Sequence, residues 1–413
     1  MNVKLPAPTQ AEQAVLLDID QDRLIALARE LIAAGGENPG GSEERTVQVL
    51  HRALADLGAT VQLHEVAPGR PNLVAHLGGG NAGGGLLFLG HSDVVPAGAG
   101  WDADAFTPRV QQGRLIGRGA TDMKGGLAAV IAAMAAINSH APQIPLTLVC
   151  TVDEEADAAG IGHYVQRAPA GSYTGCVVAE PTDLVAIVGC RGAANLRVRI
   201  TGASAHAGRP ADGASAIQAA AELVSLLNRD SLLLAAAPHP VLGAATWNVG
   251  TLSAGHGTSI VPDTAILGID RRLLPGEEAR EVLDDLLDRA RQAIERSEIA
   301  GSERISLSGE VEMQMPGFVT EPEAGFTRTV RHAAREAGAS GDYGIWTASC
   351  EGGFIAEHHA VPTVVLGPGE INTQAHQPNE SVSVNDLGTA ARAYALIALR
   401  HHEAQRQPEA QSD

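Results

Sequence analysis

Polar residues recur in this 413-residue chain where short apolar runs end. His91 and Asp93 follow the run at 86–89, Glu154 and Glu155 follow 146–152, and Glu180 follows 176–179. Asp122 closes the glycine-punctuated GRGATD at 117–122, and His376 lies in a late loop, GPGEINTQAH, at 367–376. Two imidazoles with several carboxylates suit a borderline divalent metal, zinc by default, with cobalt or manganese also accommodated. One carboxylate shared between two ions, with two private ligands each, makes a compact centre that activates water and polarises a carbonyl. Adjacent residues at a strand end point in different directions, so Glu154 and Glu155 can hold different jobs. One ligates metal while the other takes and returns a proton.

Taken singly, these residues have ordinary explanations. DEEAD at 153–157 reads equally as an exposed acidic turn, Asp122 as a helix N-cap, and His91 as a locally satisfied histidine. His206 reads as a capping or surface histidine ahead of a helix, and Arg272 as an exposed charge. What sets the group apart is the shared position of its members after apolar runs. In an open α/β sheet the crevice outside the carboxyl ends of the strands is where chemistry is placed.

The elements that must position them follow from periodicity. Apolar spacing predicts helices over 21–34 and from 42 to about Gly58, then strands at 61–66 and 72–77. The glycine-rich run at 78–85 is a loop or hairpin tip, followed by a strand at 86–89, a helix at 123–137 and buried strands at 146–152 and 176–179. From 188 to 297 the character changes. A strand at 194–201, a helix at 213–227, a strand at 265–270 and a helix at 277–295 read as a small α/β domain inserted into a larger one, 1–187 with 298–413. A helix at 323–337, a strand at 362–366 and a helix at 385–402 complete the larger domain, and the polar tail from 404 is expected to be disordered.

Composition narrows the function. Forty-five per cent hydrophobic residues supply a large core, filled by aliphatic side chains because aromatics make up only 3%. A net charge of −19 repels nucleic acid and anionic membranes alike, and no basic patch offsets it. The four cysteines, Cys150, Cys176, Cys190 and Cys350, form no CxxC pair, so buried thiols are expected. Neither an export signal nor a run of about 18 apolar residues is visible, which points to a cytoplasmic enzyme. A nucleotide-binding reading fails on its motifs. The glycines at 78–85 lack the lysine and hydroxyl of a phosphate loop, and the chain's two lysines are Lys4 and Lys124.

An ordered set of motifs resembles the M20 family of metallopeptidases and amidohydrolases. They are GHSDVVP at 90–96, GRGATDMKGG at 117–126, DEE at 153–155, EPT at 180–182 and GASAHAGRP at 202–210, then VPD at 261–263, DRR at 270–272 and GPGEINTQAHQPNE at 367–380. Each is weak alone, but the order is specific and spans about residues 20 to 400. The resemblance is to the branch of acetylornithine deacetylase, succinyl-diaminopimelate desuccinylase, aminoacylase and the glutamate carboxypeptidases.

It implies a zinc-exopeptidase-like catalytic domain, a mixed central sheet flanked by helices, with the insert as a ferredoxin-like dimerisation or lid domain. It implies that His91 and Glu180 hold one metal ion, Glu155 and His376 the other, and that Asp122 bridges. It makes Glu154 the general base, Asp93 the carboxylate orienting His91, and His206 an oxyanion donor that in similar enzymes often serves the partner subunit of a homodimer. Arg272 matches the arginine for the substrate carboxylate, with Arg271 facing away along the strand. Ser259 departs from the asparagine many relatives carry before VPD, and has shorter reach and one donor fewer. Glu351, in SCEGG at 349–353, stands where relatives carry TDA or TEA and is expected to shape the pocket. The expected substrate is an N-acyl-L-amino acid, as for acetylornithine deacetylase. A dipeptide, a succinylated diaminopimelate or, in a different class, a noncatalytic binding protein are the alternatives.

Overall fold

A computed structural model describes residues 8–79 and 84–406, so the glycine-rich tip and the polar tail expected from sequence lie partly outside the described residues. The chain divides into two compact units, one comprising Met1–Gly189, Val319–Ile345 and Glu351–Asp413, the other Cys190–Phe318 and Trp346–Cys350.

The first unit opens with α1 (Gln10–Leu17), α2 (Gln21–Ala33) and α3 (Glu44–Asp56), followed by the hairpin β1 (Thr60–Ala67) and β2 (Arg70–Leu77). α1 lies in what sequence reads as a polar start; Thr9 and Glu12 close a capping box at its N-terminus. Then come β3 (Leu86–His91), the short pair β4 (Arg109–Gln111) and β5 (Arg114–Ile116), α4 (Gly125–His140), β6 (Leu146–Thr151), α5 (Ala159–Val165), β7 (Gly175–Val178) and β8 (Ala186–Cys190).

The chain continues into the second unit with β9 (Gly192–Thr201), α6 (Ala216–Ala236), β10 (Thr246–Ala254), β11 (Thr264–Leu273), α7 (Ala279–Arg296) and β12 (Ser306–Met315). It returns through β13 (Phe318–Val319), α8 (Gly325–Ala337), β14 (Tyr343–Trp346), α9 (Gly352–His359), β15 (Thr363–Val365), β16 (Ser381–Ser383) and α10 (Val384–Arg406).

The large sheet of the first unit runs β1-β2-β6-β3-β7-β15-β8-β13, with β14 also on β8. Its middle is parallel: β6, β3, β7 and β15 are neighbours in one direction, while β1, β2 and β8 run against theirs. Every residue of β3, β6 and β7 is buried, which is why these strands read as continuous apolar runs rather than alternating ones. Each fully buried Leu, Val or Phe there contributes about 1.5–3 kcal/mol.

α4 packs in the core and is mostly Ala, Ile, Leu and Gly, so it can approach the sheet closely. At Gly126 a Cβ would stand 2.2 Å from the Ala179 carbonyl oxygen. Among the described residues, the helical run Ala120–His140 alone is long and apolar enough to cross a membrane by length and composition. It is 89% buried inside the protein, as a core helix is.

The second unit is a βαββαβ arrangement whose antiparallel sheet runs β10-β11-β9-β12, the ferredoxin-like order. α6 and α7 cover one face, packing Leu223, Leu227, Leu283 and Leu286 on Leu196, Val198, Leu267 and Ile269. The opposite face is polar, with Arg197 paired to Glu310 and Glu312. This unit extends past 297 because β12 pairs with β9 along its length. β10 and β12 are mostly exposed or half-buried edge strands; β12 alternates as β9 does, with a glycine at one inward position, whereas a register shift between Val249 and Thr251 breaks the alternation of β10.

Candidate metal centre

Four neighbouring parallel strands deliver their carboxyl ends to one edge of the large sheet. His91 is the last residue of β3, paired with Thr151 at the end of β6. Glu154 and Glu155 follow β6 directly, Glu180 follows β7, and the loop after β15 brings in His376. Asp122 arrives on the turn before α4, where its peptide bond to Met123 is cis. Asp153 (φ 68°) and His376 (φ 64°) take the left-handed backbone conformation, which Asp and His tolerate better than most non-glycine residues.

Two groups of ligand atoms result, His91–Asp122–Glu180 and Asp122–Glu155–His376. His91 Nε2 lies 3.2 Å from Asp122 Oδ1 and 3.4 Å from Glu180 Oε1. His376 Nε2 lies 3.3 Å from Asp122 Oδ2 and 3.1 Å from Glu155 Oε2. The two oxygens of Asp122 therefore face different imidazoles, the disposition a bridging carboxylate needs.

These donors fit divalent metal. The Nδ1 of His91 lies 3.0 Å from the main-chain carbonyl of Asp93, which accepts its proton. In the neutral ring the Nε2 lone pair then faces two carboxylate oxygens. That is repulsive unless a cation or a proton stands between them, and one N–H cannot serve both acceptors well. Ligands about 2.0–2.2 Å from a zinc ion stand roughly 3.3 Å apart at tetrahedral angles, close to the separations observed. Glu155 Oε1 is buried without a hydrogen-bond partner, an orphan acceptor that a cation would satisfy.

The electrostatics of the metal-free groups agree. Burial pushes Glu154 well above the carboxylate range, helped by Glu180, Glu155 and Glu351. It pushes Glu180 up to about 7, with Asp122 adding to the shift, and it raises Glu155 as well. Hydrogen bonds to Asp122 and Glu155 hold His376 up at about 10. Burial opposes the charge on His91, but Glu180, Asp122 and Asp93 outweigh it and raise its pKa well above the usual value. In Asp122 burial is likewise overcome, by His376 and His91, and its pKa is lowered.

A prediction follows from the signs. His376, held up at about 10, carries a proton at pH 7 in the metal-free protein and must lose it to ligate, and His91 is shifted in the same direction. Titration of a divalent ion into the metal-free protein should release about one proton or more per ion, with affinity rising as pH rises. Calorimetry in buffers of different ionisation enthalpy measures this. A heat independent of the buffer would contradict the ligand set.

Asp93 and several residues to which sequence assigns no role hold the groups in place. The Asp93 carboxylate accepts from Asn38 Nδ2 at 2.9 Å and from the backbone N–H groups of Glu155 and Glu154 at 3.1 and 3.2 Å. It thus sets the loop bearing both glutamates, while its approach to His91 Nδ1 is 3.5 Å. Asn38 also donates to Asp153, which in turn pairs with Arg70 at 3.0 Å. Glu380 accepts from the backbone N–H groups of Thr121 and Asp122 at 2.8 and 3.0 Å, and pairs with buried Arg118 at 2.7 Å. Lys124, buried beside them, donates to the Leu31 and Gly35 carbonyls, and burial lowers its pKa to about 7. The signal available in sequence was that Arg118, Lys124 and Glu380 are charges inside the quoted motifs.

Glu351 is buried in the same unit, accepts from Thr151 Oγ1 at 2.5 Å, and is pushed up to about 8 by burial. The remaining candidates belong to the second unit. His206 Nδ1 accepts from the Gly208 N–H at 3.0 Å, and His206 forms an isolated antiparallel bridge with Ile260, which places it beside the Ser259 segment. Arg272 pairs with Asp270 at 3.0 Å. Arg271 points to the other side of β11, buried against Trp247 and bonded to Glu277.

Comparison with known proteins decides the family. The model for "Peptidase family M20/M25/M40" matches residues 87–400. The chain belongs to that family. Among M20-related sequences it is 33% identical over 393 residues to an acetylornithine deacetylase of Edwardsiella ictaluri, covering 92% of this chain and 98% of that one. It is also 33% identical over 345 residues to the acetylornithine deacetylase of Vibrio atlanticus, covering 82% and 87%. Among solved structures, aminopeptidase PepT of Bacillus cereus superposes with a TM-score of 0.73 at 22% identity, covering 93% of this chain and 99% of that one. An M20 metallo-carboxypeptidase of Sulfolobus solfataricus does so with 0.74 at 16%, covering 92% and 99%. At those identities the structural likeness speaks for the M20 fold. The protein is accordingly an M20 hydrolase with a mixed α/β catalytic unit.

Proposed function

We propose that this M20 hydrolase removes the acyl group from an N-acyl-L-amino acid, in the manner of an acetylornithine deacetylase. The observation that carries the reading is 33% identity, over nearly the whole chain, to a protein of that name. His91, Glu180 and Asp122 would hold one divalent ion, and Asp122, Glu155 and His376 the other, with zinc the default for such donors. Bound ions of this kind polarise the scissile carbonyl and make water a nucleophile at neutral pH.

The protein's own residues do the rest. Glu154, half-buried and with its pKa raised, accepts the proton of the attacking water and passes it to the leaving nitrogen. Asp93 holds the Glu154–Glu155 backbone, and its main-chain carbonyl fixes the His91 tautomer. His206 donates to the oxyanion that develops at the carbonyl. Arg272 receives the amino-acid carboxylate, Ser259 contributes a hydroxyl to the substrate, and Glu351 shapes the acyl pocket.

The reading includes a cytoplasmic homodimer built on the second unit. β10 ends its sheet, and α6 exposes Leu232 and Leu233 by 73% and 68%, apolar surface suited to a symmetric partner. Light scattering should give a dimeric mass, and a monomer at assay concentration would remove this part. The substrate reading is tested with metal-loaded enzyme on N-acetyl amino acids, N-succinyl-diaminopimelate and simple dipeptides. N-acetyl amino acids should give kcat/KM at least about tenfold above the others, the value of roughly 1.4 kcal/mol of differential transition-state binding. A dipeptide preferred by that margin would make the enzyme an exopeptidase.

A further inference from the structure

Apart from the metal centre, the first unit contains a groove of about 480 Å³ between the β1–β2 hairpin and α5. That volume is within the range of small-molecule sites. Its walls are built by period-2 placement: Gln62 and His64 on β1 share a face with Asn72, Val74 and His76 on β2, where His64 pairs with Asn72. His163 on α5 and Arg167 one turn later close the opposite wall.

The chemistry of this lining is unlike that of the chain as a whole. The protein carries −19, yet no Asp or Glu is among the described residues lining the groove, while one Arg and three His are. His163 is a half-buried lining residue whose Nδ1 has no hydrogen-bond partner, so its ring is not committed to any group of the protein through that atom. Burial, Arg167 and His64 together lower the His163 pKa, so the three groups act on the same space and a bound negative charge would relieve them. Arg167 is exposed and folds back on its own helix, donating to the His163 carbonyl at 3.4 Å, a long bond readily exchanged for an anion.

The floor of the groove is tied to the catalytic loop. Asn72 is buried, and its amide donates to the Gly160 carbonyl at 2.7 Å and accepts from the Val152 N–H at 3.0 Å. These two partners bracket segment 153–159, which carries Glu154 and Glu155 and runs straight into α5.

We propose that the groove between α5 and the β1–β2 hairpin is an accessory site for a small organic anion, headed by phosphate or carboxylate, whose occupancy steadies the segment bearing Glu154 and Glu155. The anionic head lies against Arg167, His163 and His64, and the organic body lies along Val74 and Tyr173.

The test uses metal-loaded enzyme and two probes that share one ring, phenyl phosphate and benzoate, followed by calorimetry. At least one probe should bind, and its affinity should fall about tenfold or more in Arg167→Gln and in His163→Gln, the scale for losing a charge-assisted contact. The stronger probe identifies the head group. Hydrogen exchange in 153–159 should slow when that probe saturates the wild type, and not in Arg167→Gln. Should Arg167→Gln lower the melting temperature, His64→Gln on the facing wall serves for the same comparison. No binding of either probe up to about 10 mM, or equal affinity in wild type and variants, overturns the site. Binding without any change in exchange overturns its link to the catalytic segment.

Discussion

Glu154→Gln lowers turnover by about 100-fold or more, the scale of a lost general base, while metal content and melting temperature stay near wild type. The amide keeps the volume of the side chain and cannot accept the proton. No hydrogen bond of the Glu154 side chain supports the fold among those described; it is the main chain of Glu154 that donates to Asp93. KM should change much less than kcat, because the missing interaction develops in the transition state. Folding even gains slightly at neutral pH. Burial raises the Glu154 pKa, so the folded metal-free protein binds a proton that the unfolded chain has released. The penalty this imposes grows as pH rises above the ordinary glutamate range, and the glutamine variant escapes it. Glu155→Gln behaves differently. Its Oε2 stands 3.1 Å from His376 Nε2 within a ligand group, so one ion should bind more weakly as activity falls. Metal analysis, melting temperature, kcat and KM on the best N-acyl amino acid measure all of this. Wild-type turnover in Glu154→Gln, with activity lost but metal retained in Glu155→Gln, reverses the two roles.

Asp122→Ala should cost both ions and nearly all activity, because each of its oxygens belongs to a different ligand group. Losing several kcal/mol of charge stabilisation corresponds to about a thousandfold in rate or more. His91→Ala and His376→Ala should each weaken mainly one ion. The stability readout separates this from simple misfolding. Ions bound only by the folded state raise the melting temperature, so a chelator should lower it in the wild type and leave Asp122→Ala unmoved. The metal-free variant should melt somewhat lower than the metal-free wild type, since His376 and His91 hold Asp122 ionised and its loss leaves both imidazoles short of a partner. Glu380→Gln should fall between, weakening metal without abolishing it, because Glu380 acts through the Thr121 and Asp122 backbone. Elemental analysis showing unchanged metal in Asp122→Ala, His91→Ala and His376→Ala together would discard the assignment.

Sequence by itself determined which residues are candidates and roughly which elements bear them. The strands β3, β6 and β7 are wholly buried, so they read as unbroken apolar runs, and the polar residue after each run marks a strand end. The family motifs are contiguous and local, which is why their order could be read without a structure. β9, with a clean alternation of buried and exposed residues, was legible for the same reason.

Tertiary structure decided what depends on partners distant in the chain. β10 is a strand because β11 pairs with it, its own alternation being broken at Val249/Thr251; β12 alternates in sequence, but its pairing with β9 is what assigns it to the second unit. α5 and α9, with seven and eight residues, are too short to display a helical repeat. That Asp122 turns one oxygen to His91 and the other to His376 depends on a backbone held by Glu380, 258 residues away. Arg118 and Glu380 pair across 262 residues, and only burial distinguishes them from surface charges. Local pattern reports how a residue is placed on its own strand or helix. The direction of a carboxylate is set by whichever groups the fold brings to it, and these come from four strands and two loops.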